Sequence, residues 1–130
     1  MHSVGIDIIE IPRIERAIQR WGERFLQRVY TPSELELYRH RPAQLAAHFA
    51  AKEAVIKALG NPHPQIAWSL GIGAPKRWQE IEVLRDPQGR PQLRLSGRAR
   101  ERARELGLEL EVSLSHSREL AVASVVGNSR

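Results

Sequence analysis

Phe49-Ala50-Ala51-Lys52-Glu53-Ala54-Val55-Ile56-Lys57-Ala58-Leu59-Gly60 is the stretch from which the rest of the chain is best read. It reads as a helix closed by Gly60, which suits the position just past a helix end. Projected at about 100° per residue, Leu45, Phe49 and Ile56 fall within roughly 40° of one another, and Val55 and Leu59 widen that face. Lys52 projects inside the apolar stripe, Glu53 on its edge, and Lys57 one turn further on. Charge in a core is costly unless it is paired or bound to an ion, so this helix is expected to face a charged ligand. The plainer alternative is that Glu53 and Lys57, spaced i, i+4, form a surface pair worth about 0.2–0.5 kcal/mol.

A second carboxylate comes from the start of the chain. Val4-Gly5-Ile6-Asp7-Ile8-Ile9-Glu10-Ile11 is a β-branched run, apolar on both faces apart from Asp7, and is expected to be a strand buried on both sides. An aspartate in its middle then needs a partner. Two hard oxygen ligands on separate rigid elements suit Mg²⁺, which takes one or two protein carboxylates, waters and substrate phosphates. The chain has no cysteine and no HxxxH or HExxH spacing, so nothing points to a dedicated zinc site.

Three ordered motifs now carry a resemblance: Gly5-Ile6-Asp7-Ile8-Ile9-Glu10-Ile11, Phe49-Ala50-Ala51-Lys52-Glu53-Ala54 and Ser113-Leu114-Ser115-His116-Ser117, with Trp78–Val83 and Gly89-Arg90-Pro91 between the last two. Together they resemble the bacterial holo-acyl-carrier-protein synthases, the short single-domain members of the 4′-phosphopantetheinyl transferase superfamily. The match covers nearly the whole chain. It implies transfer of phosphopantetheine from coenzyme A to a serine of apo-acyl carrier protein, in support of fatty acid biosynthesis, with release of adenosine 3′,5′-bisphosphate.

Phosphoryl transfer of this kind depends on positioning and on neutralising charge at phosphate oxygens. Asp7 and Glu53 are assigned as Mg²⁺ ligands. Glu53 and Lys57 are assigned to catalysis, Lys57 stabilising charge on the transferred phosphate or positioning the serine. Lys57 serves as general base only if burial or the metal strips it of its proton, and water held by Glu53 or by the metal is the rival base. The resemblance also places Lys52, Lys57 and His116 at coenzyme A, with a structural ion pair as the alternative for Lys52. Two departures from the family pattern stand out. His48 occupies a position commonly held by arginine, and Gly60 is followed by Asn61-Pro62 rather than Gly-Thr-Gly, so the glycines that hold the nucleotide are not identified.

At 130 residues the chain is expected to be one domain, 1–130. It has no apolar run long enough to span a membrane, and charge at Asp7 and Glu10 argues against a signal peptide. A soluble, cytoplasmic protein is expected. The formal net charge is +5, with 17 arginines against three lysines, which favours acidic partners.

The layout alternates. A strand at about 3–9 leads to a helix from Pro12 to Val29. Thr31-Pro32-Ser33-Glu34 has the spacing of a capping box and starts a second helix. The Lys52/Glu53 helix follows the break at Arg41-Pro42, and 61–77 reads as a loop. Ile81–Leu84 and Gln92–Leu95 flank the turn Asp86-Pro87-Gln88-Gly89 as a hairpin. A helix from Gly97 to Leu106 and a last hairpin of Leu108–Ser115 with Leu120–Val126 complete an α+β fold, an antiparallel sheet with helices packed on it.

Arg13, Arg16, Arg20, Arg24 and Arg28 project as one stripe on the first helix, beside a core face of Ile14, Ile18, Trp21 and Phe25. The stripe is either a solvated face or a docking strip, through Arg13, Arg20 and Arg24, for the acidic carrier. A basic nucleic-acid-binding domain is the rival class, but no helix-turn-helix, RNP or zinc signature is present. A nucleotide-diphosphate hydrolase with the same metal site is a third reading. The resemblance further implies a homotrimer with sites between subunits. Its apolar surface is sought in Ile66, Trp68, Leu70, Ile72 and Trp78, and in the closing hairpin at Leu110, Val112, Leu114, Ala121, Ala123 and Val125.

Overall fold

The computed structural model describes residues 2–60 and 76–129. In chain order these form β1 (His2–Glu10), α1 (Ile11–Trp21), α2 (Glu23–Val29), α3 (Pro32–Tyr38), α4 (Pro42–Ala58), α5 (Lys76–Gln79), β2 (Ile81–Arg85), β3 (Pro91–Leu95), α6 (Gly97–Leu106), β4 (Leu108–His116) and β5 (Leu120–Ser129). The expected α+β class holds. An antiparallel sheet runs β1-β5-β4 with β5 central, and β2 and β3 form a separate hairpin. Asn61-Pro62, the apolar positions 66–72 and Gly71-Ile72-Gly73 lie outside the described residues.

Helix α4 lies on one face of the sheet, and the contact is made by small residues. Ala46, Ala50, Ala51 and Ala54 of α4 are buried, as are Ala121 and Ala123 of β5. Gly5 of β1 shows why. A Cβ there would stand 1.9 Å from the carbonyl oxygen of Ala54, so only glycine allows strand and helix backbones to touch. The expected apolar stripe of α4 is thereby corrected. Phe49 and Ile56 are only half-buried, while the alanine side is sealed. Large side chains dominate a helical projection, but close helix–sheet approach selects small ones.

Local signals behave as read at several points. Thr31 caps α3 with both halves of the capping box formed. Asp86 Oδ1 accepts from the backbone N–H groups of Gln88 and Arg90, closing the β2–β3 turn. The helix expected from Pro12 to Val29 is instead broken. Gly22, at φ 56° and ψ −134°, separates α1 from α2, a conformation that favours glycine.

Strand β1 also differs from expectation. Its inner positions Gly5 and Ile9 are buried, but Val4, Ile6 and Ile8 are 66, 60 and 61% exposed. They pair across β5 with Val126, Ser124 and Val122, so the strand is buried on one side of this chain and bare on the other.

Candidate active site

The close approach of β1 and α4 brings the chemistry together. Asp7 lies two residues beyond Gly5, on the same inner face of β1, and Glu53 directly precedes Ala54. Lys57 stands one helical turn after Glu53. Its Nζ donates to Asp7 Oδ1 and to the Ile6 carbonyl oxygen, each at 3.0 Å. Trp78, in α5, donates its indole N–H to Glu53 Oε1 at 3.1 Å. Asp7, Glu53 and Lys57, read from distant parts of the sequence, are neighbours in space.

The electrostatics suit a cation. Burial pushes the Glu53 carboxyl above its ordinary value of 4.5, the negative charge of Asp7 pushes the same way, and the Trp78 hydrogen bond and the Lys57 charge oppose them. Two like charges held on rigid elements repel until a positive charge lies between them. Among the described residues no group of three or more His, Cys, Asp or Glu side chains gathers as a metal site. Two carboxylate oxygen donors fit Mg²⁺, which draws the rest of its shell from water and substrate phosphate.

Lys52 is corrected away from coenzyme A. It is fully buried, and its ammonium donates to Glu34 Oε1 at 2.7 Å, to the Trp78 carbonyl at 2.9 Å and to the Ile81 carbonyl at 2.5 Å. An ammonium has three protons, so none is left for an external phosphate. The charge inside the stripe answers an internal anion, and the structural ion pair is the role the geometry gives it.

That anion was missed in the sequence. Glu34 also accepts from Thr31 N, Val83 N and His48 Nδ1, the last at 3.2 Å. Burial alone would raise its pKa. The His48 hydrogen bond, then the charge and hydrogen bond of Lys52 and the Thr31 N–H, hold the carboxyl below its ordinary 4.5. His48 is buried and turned to this carboxylate, so it belongs to the same internal network. The available signal was Lys52 itself, which demanded a buried carboxylate. Nothing in the spacing pointed to a capping-box glutamate 18 positions earlier.

The arginines of the stripe are exposed, with Arg20 stacked on Trp21 at 5.1 Å. The break at Gly22 divides them between α1 and α2. Arg24 and Arg28 flank a groove of about 410 Å³ whose walls include Phe25, Phe49 and Trp78. A wider cleft of about 870 Å³ between β3 and β4 is lined by none of Asp7, Glu53 and Lys57. His116 ends β4 and is exposed, its Nδ1 3.2 Å from the Ser117 carbonyl, with β5 between its strand and that of Asp7.

Known proteins share this arrangement of elements. The holo-[acyl-carrier-protein] synthase of Herpetosiphon aurantiacus is 50% identical, the alignment covering 98% of this chain and 98% of that protein. That of Moorella thermoacetica is 53% identical, over 95% of this chain and 91% of its own length. Among solved structures, the Chronobacterium ammoniagenes ACPS–CoA complex superposes with a TM-score of 0.79 at 30% identity, covering 100% of this chain and 98% of that one. The Helicobacter pylori holo-[acyl-carrier-protein] synthase in complex with coenzyme A gives 0.76 at 32% identity, covering 96% and 99%. The family model matches residues 3–123, and the chain belongs to the 4′-phosphopantetheinyl transferase superfamily.

Proposed function

We propose that this chain, as a single domain, transfers 4′-phosphopantetheine from coenzyme A to a serine of apo-acyl carrier protein, with Mg²⁺ held by Asp7 and Glu53. The transfer itself is what the full-length relatives are named for. The observation that carries the site is the meeting of Asp7, Glu53 and Lys57 where β1 touches α4.

When bound, Mg²⁺ supplies positive charge to the diphosphate oxygens. Lys57, already aimed at Asp7, lies close enough to the carboxylates to donate to the same phosphate as charge develops on it. The serine proton passes to Lys57, if burial or the metal has stripped it of its own, or to a water held by Glu53. The serine oxygen forms its new bond to phosphorus as the bond to the bridging oxygen breaks, and adenosine 3′,5′-bisphosphate leaves with that oxygen. His116 contributes to holding coenzyme A.

The acidic carrier docks along Arg13, Arg20 and Arg24. The open groove between Arg24 and Arg28 supports this, because it offers apolar surface inside a cationic rim. The assembly is a closed homotrimer. The resemblance supplies the number three. The support in the structure differs from the residues first named, since Ala121, Ala123 and Val125 complete the chain's own core. The bare surface is Val4, Ile6 and Ile8 with Val126 of β5, an apolar sheet face of the kind that cyclic assembly covers. Among the described residues no helix is long and apolar enough to cross a membrane. A cytoplasmic enzyme serving fatty acid biosynthesis completes the reading.

Incubation with coenzyme A, Mg²⁺ and apo-acyl carrier protein, followed by weighing of the carrier, tests it. A carrier heavier by one phosphopantetheine is expected. Free phosphopantetheine with an unchanged carrier would make the protein a hydrolase, and no reaction would leave a binding protein.

A further inference from the structure

Trp78 touches Glu53 from outside the helix that carries it. Its indole N–H donates to Glu53 Oε1 at 3.1 Å, and its own carbonyl accepts from Lys52 Nζ at 2.9 Å. Lys52 is in turn fixed by Glu34 at 2.7 Å. The backbone of α5 is therefore tied to the buried ion pair, while its indole is tied to the carboxylate at the site. The ring also packs against Phe49, with centroids 5.9 Å apart, and lines the groove between Arg24 and Arg28.

Glu53 is half-buried, and a carboxylate with no fixed partner still rotates about its side-chain bonds. One oxygen committed to a fixed N–H leaves the other with a defined direction. Partners of this kind orient ligands, and their loss costs about 10–100-fold in metal affinity or activity.

We infer that Trp78 is a positioning residue, which orients the Glu53 carboxylate toward a divalent cation while forming a wall of the groove that receives the carrier. This rests on the proposal that Asp7 and Glu53 hold Mg²⁺. Groove and carboxylate therefore share one side chain.

Trp78→Phe removes the N–H and keeps an aromatic ring against Phe49. In ¹⁵N-labelled protein the three tryptophans give separate indole N–H signals, and the one missing from Trp78→Phe belongs to Trp78. That signal should shift during a Mg²⁺ titration of the wild-type protein, with the midpoint given by calorimetry. Trp78→Phe should bind Mg²⁺ about tenfold more weakly, and its transfer rate at saturating carrier should recover as Mg²⁺ is raised. A Trp78 signal indifferent to Mg²⁺ overturns the positioning role, as does Mg²⁺ binding within twofold of wild type in Trp78→Phe. If that variant fails to fold, Trp21→Phe and Trp68→Phe assign the Trp78 signal by elimination, and the wild-type titration decides. Glu53→Gln separates the two levels. If it loses Mg²⁺ while Trp78→Phe does not, only the role of Trp78 falls. If Glu53→Gln binds Mg²⁺ as wild type does, the metal proposal falls and the positioning role with it.

Discussion

Lys52 Nζ and Glu34 Oε1 meet at 2.7 Å with both side chains closed off from solvent, and this pair ties α3, α4 and β2 into one unit. Removing either partner strands a charge in the core, which costs about 3–5 kcal/mol. Lys52→Met and Glu34→Leu should each lower stability by that amount in urea unfolding at fixed protein concentration. The double variant should lose much less than the sum. A Lys52→Met protein of unchanged stability and raised KM for coenzyme A would return Lys52 to the nucleotide.

Asp7 on β1 and Glu53, the residue next to Lys52 in α4, should behave differently. Asp7→Ala and Glu53→Ala should each reduce transfer by more than about 100-fold, beyond the range for residues that only support a ligand. Removing Glu53 also removes its repulsion with Asp7, so the metal-free Glu53→Ala protein should be as stable as wild type or more so. Transfer within tenfold of wild type in either variant would take that residue out of the metal site.

The two glutamates should give opposite pH signatures. The folded state holds Glu34 below 4.5. Its contribution to stability is complete above 4.5 and lost as pH falls through the lowered value. Glu53 is raised above 4.5 in the folded, metal-free protein. Its contribution is complete below 4.5 and lost as pH rises through the raised value. Metal-free Glu53→Gln should therefore gain on wild type as pH rises above 4.5, with no gain below it. Urea midpoints measured across the acid range check the sign, and parallel curves would show that Glu53 is not raised.

Charge reversal at Arg13 and Arg20 should raise KM for the carrier about tenfold and leave coenzyme A binding unchanged, because both lie on the exposed face of α1. Steering of this kind acts on association and is screened over about 8–10 Å at physiological salt. Wild-type carrier kinetics should weaken as salt rises. Kinetics unaltered by the double reversal would make the stripe a solvated face.

Ile6→Asp and Ile8→Asp should disperse the assembly without unfolding the chain, since both side chains point away from its core. Light scattering should find three times 14.8 kDa for wild type and the single mass for the variants. A fully active wild-type monomer would dispose of the shared-site arrangement.

What could be read in advance was mostly local. The Thr31–Glu34 capping box, the Asp86 turn and the glycines after α4 and α6 each act within a few residues, and each is where the sequence placed it. Asp7 stood out as a charge inside an apolar run and Glu53 as one on its edge, while Lys57 was named through its i, i+4 spacing from Glu53 and the family resemblance; the structure sets the three side by side. The break at Gly22 was hidden, because an isolated glycine in a helical pattern is compatible with either a continuous or an interrupted helix. The partner of Lys52 and the donor to Glu53 come from remote segments, and only the packing of α3 and α5 on α4 joins them.

The alternation along β1 has an evolutionary consequence. Asp7 and the pair Ile6 and Ile8 stand on opposite faces because they occupy positions of opposite parity, opposite Ala123, Ser124 and Val122 of β5. A single-residue insertion between Gly5 and Asp7 would exchange the faces, driving isoleucine into the charged site and aspartate into the apolar surface. A two-residue insertion would restore the faces but carry Asp7 about 7 Å along the strand, out of reach of a lysine now 3.0 Å away. The outer face of this strand can therefore exchange one apolar side chain for another, whereas its length between Gly5 and Asp7 is closed to change.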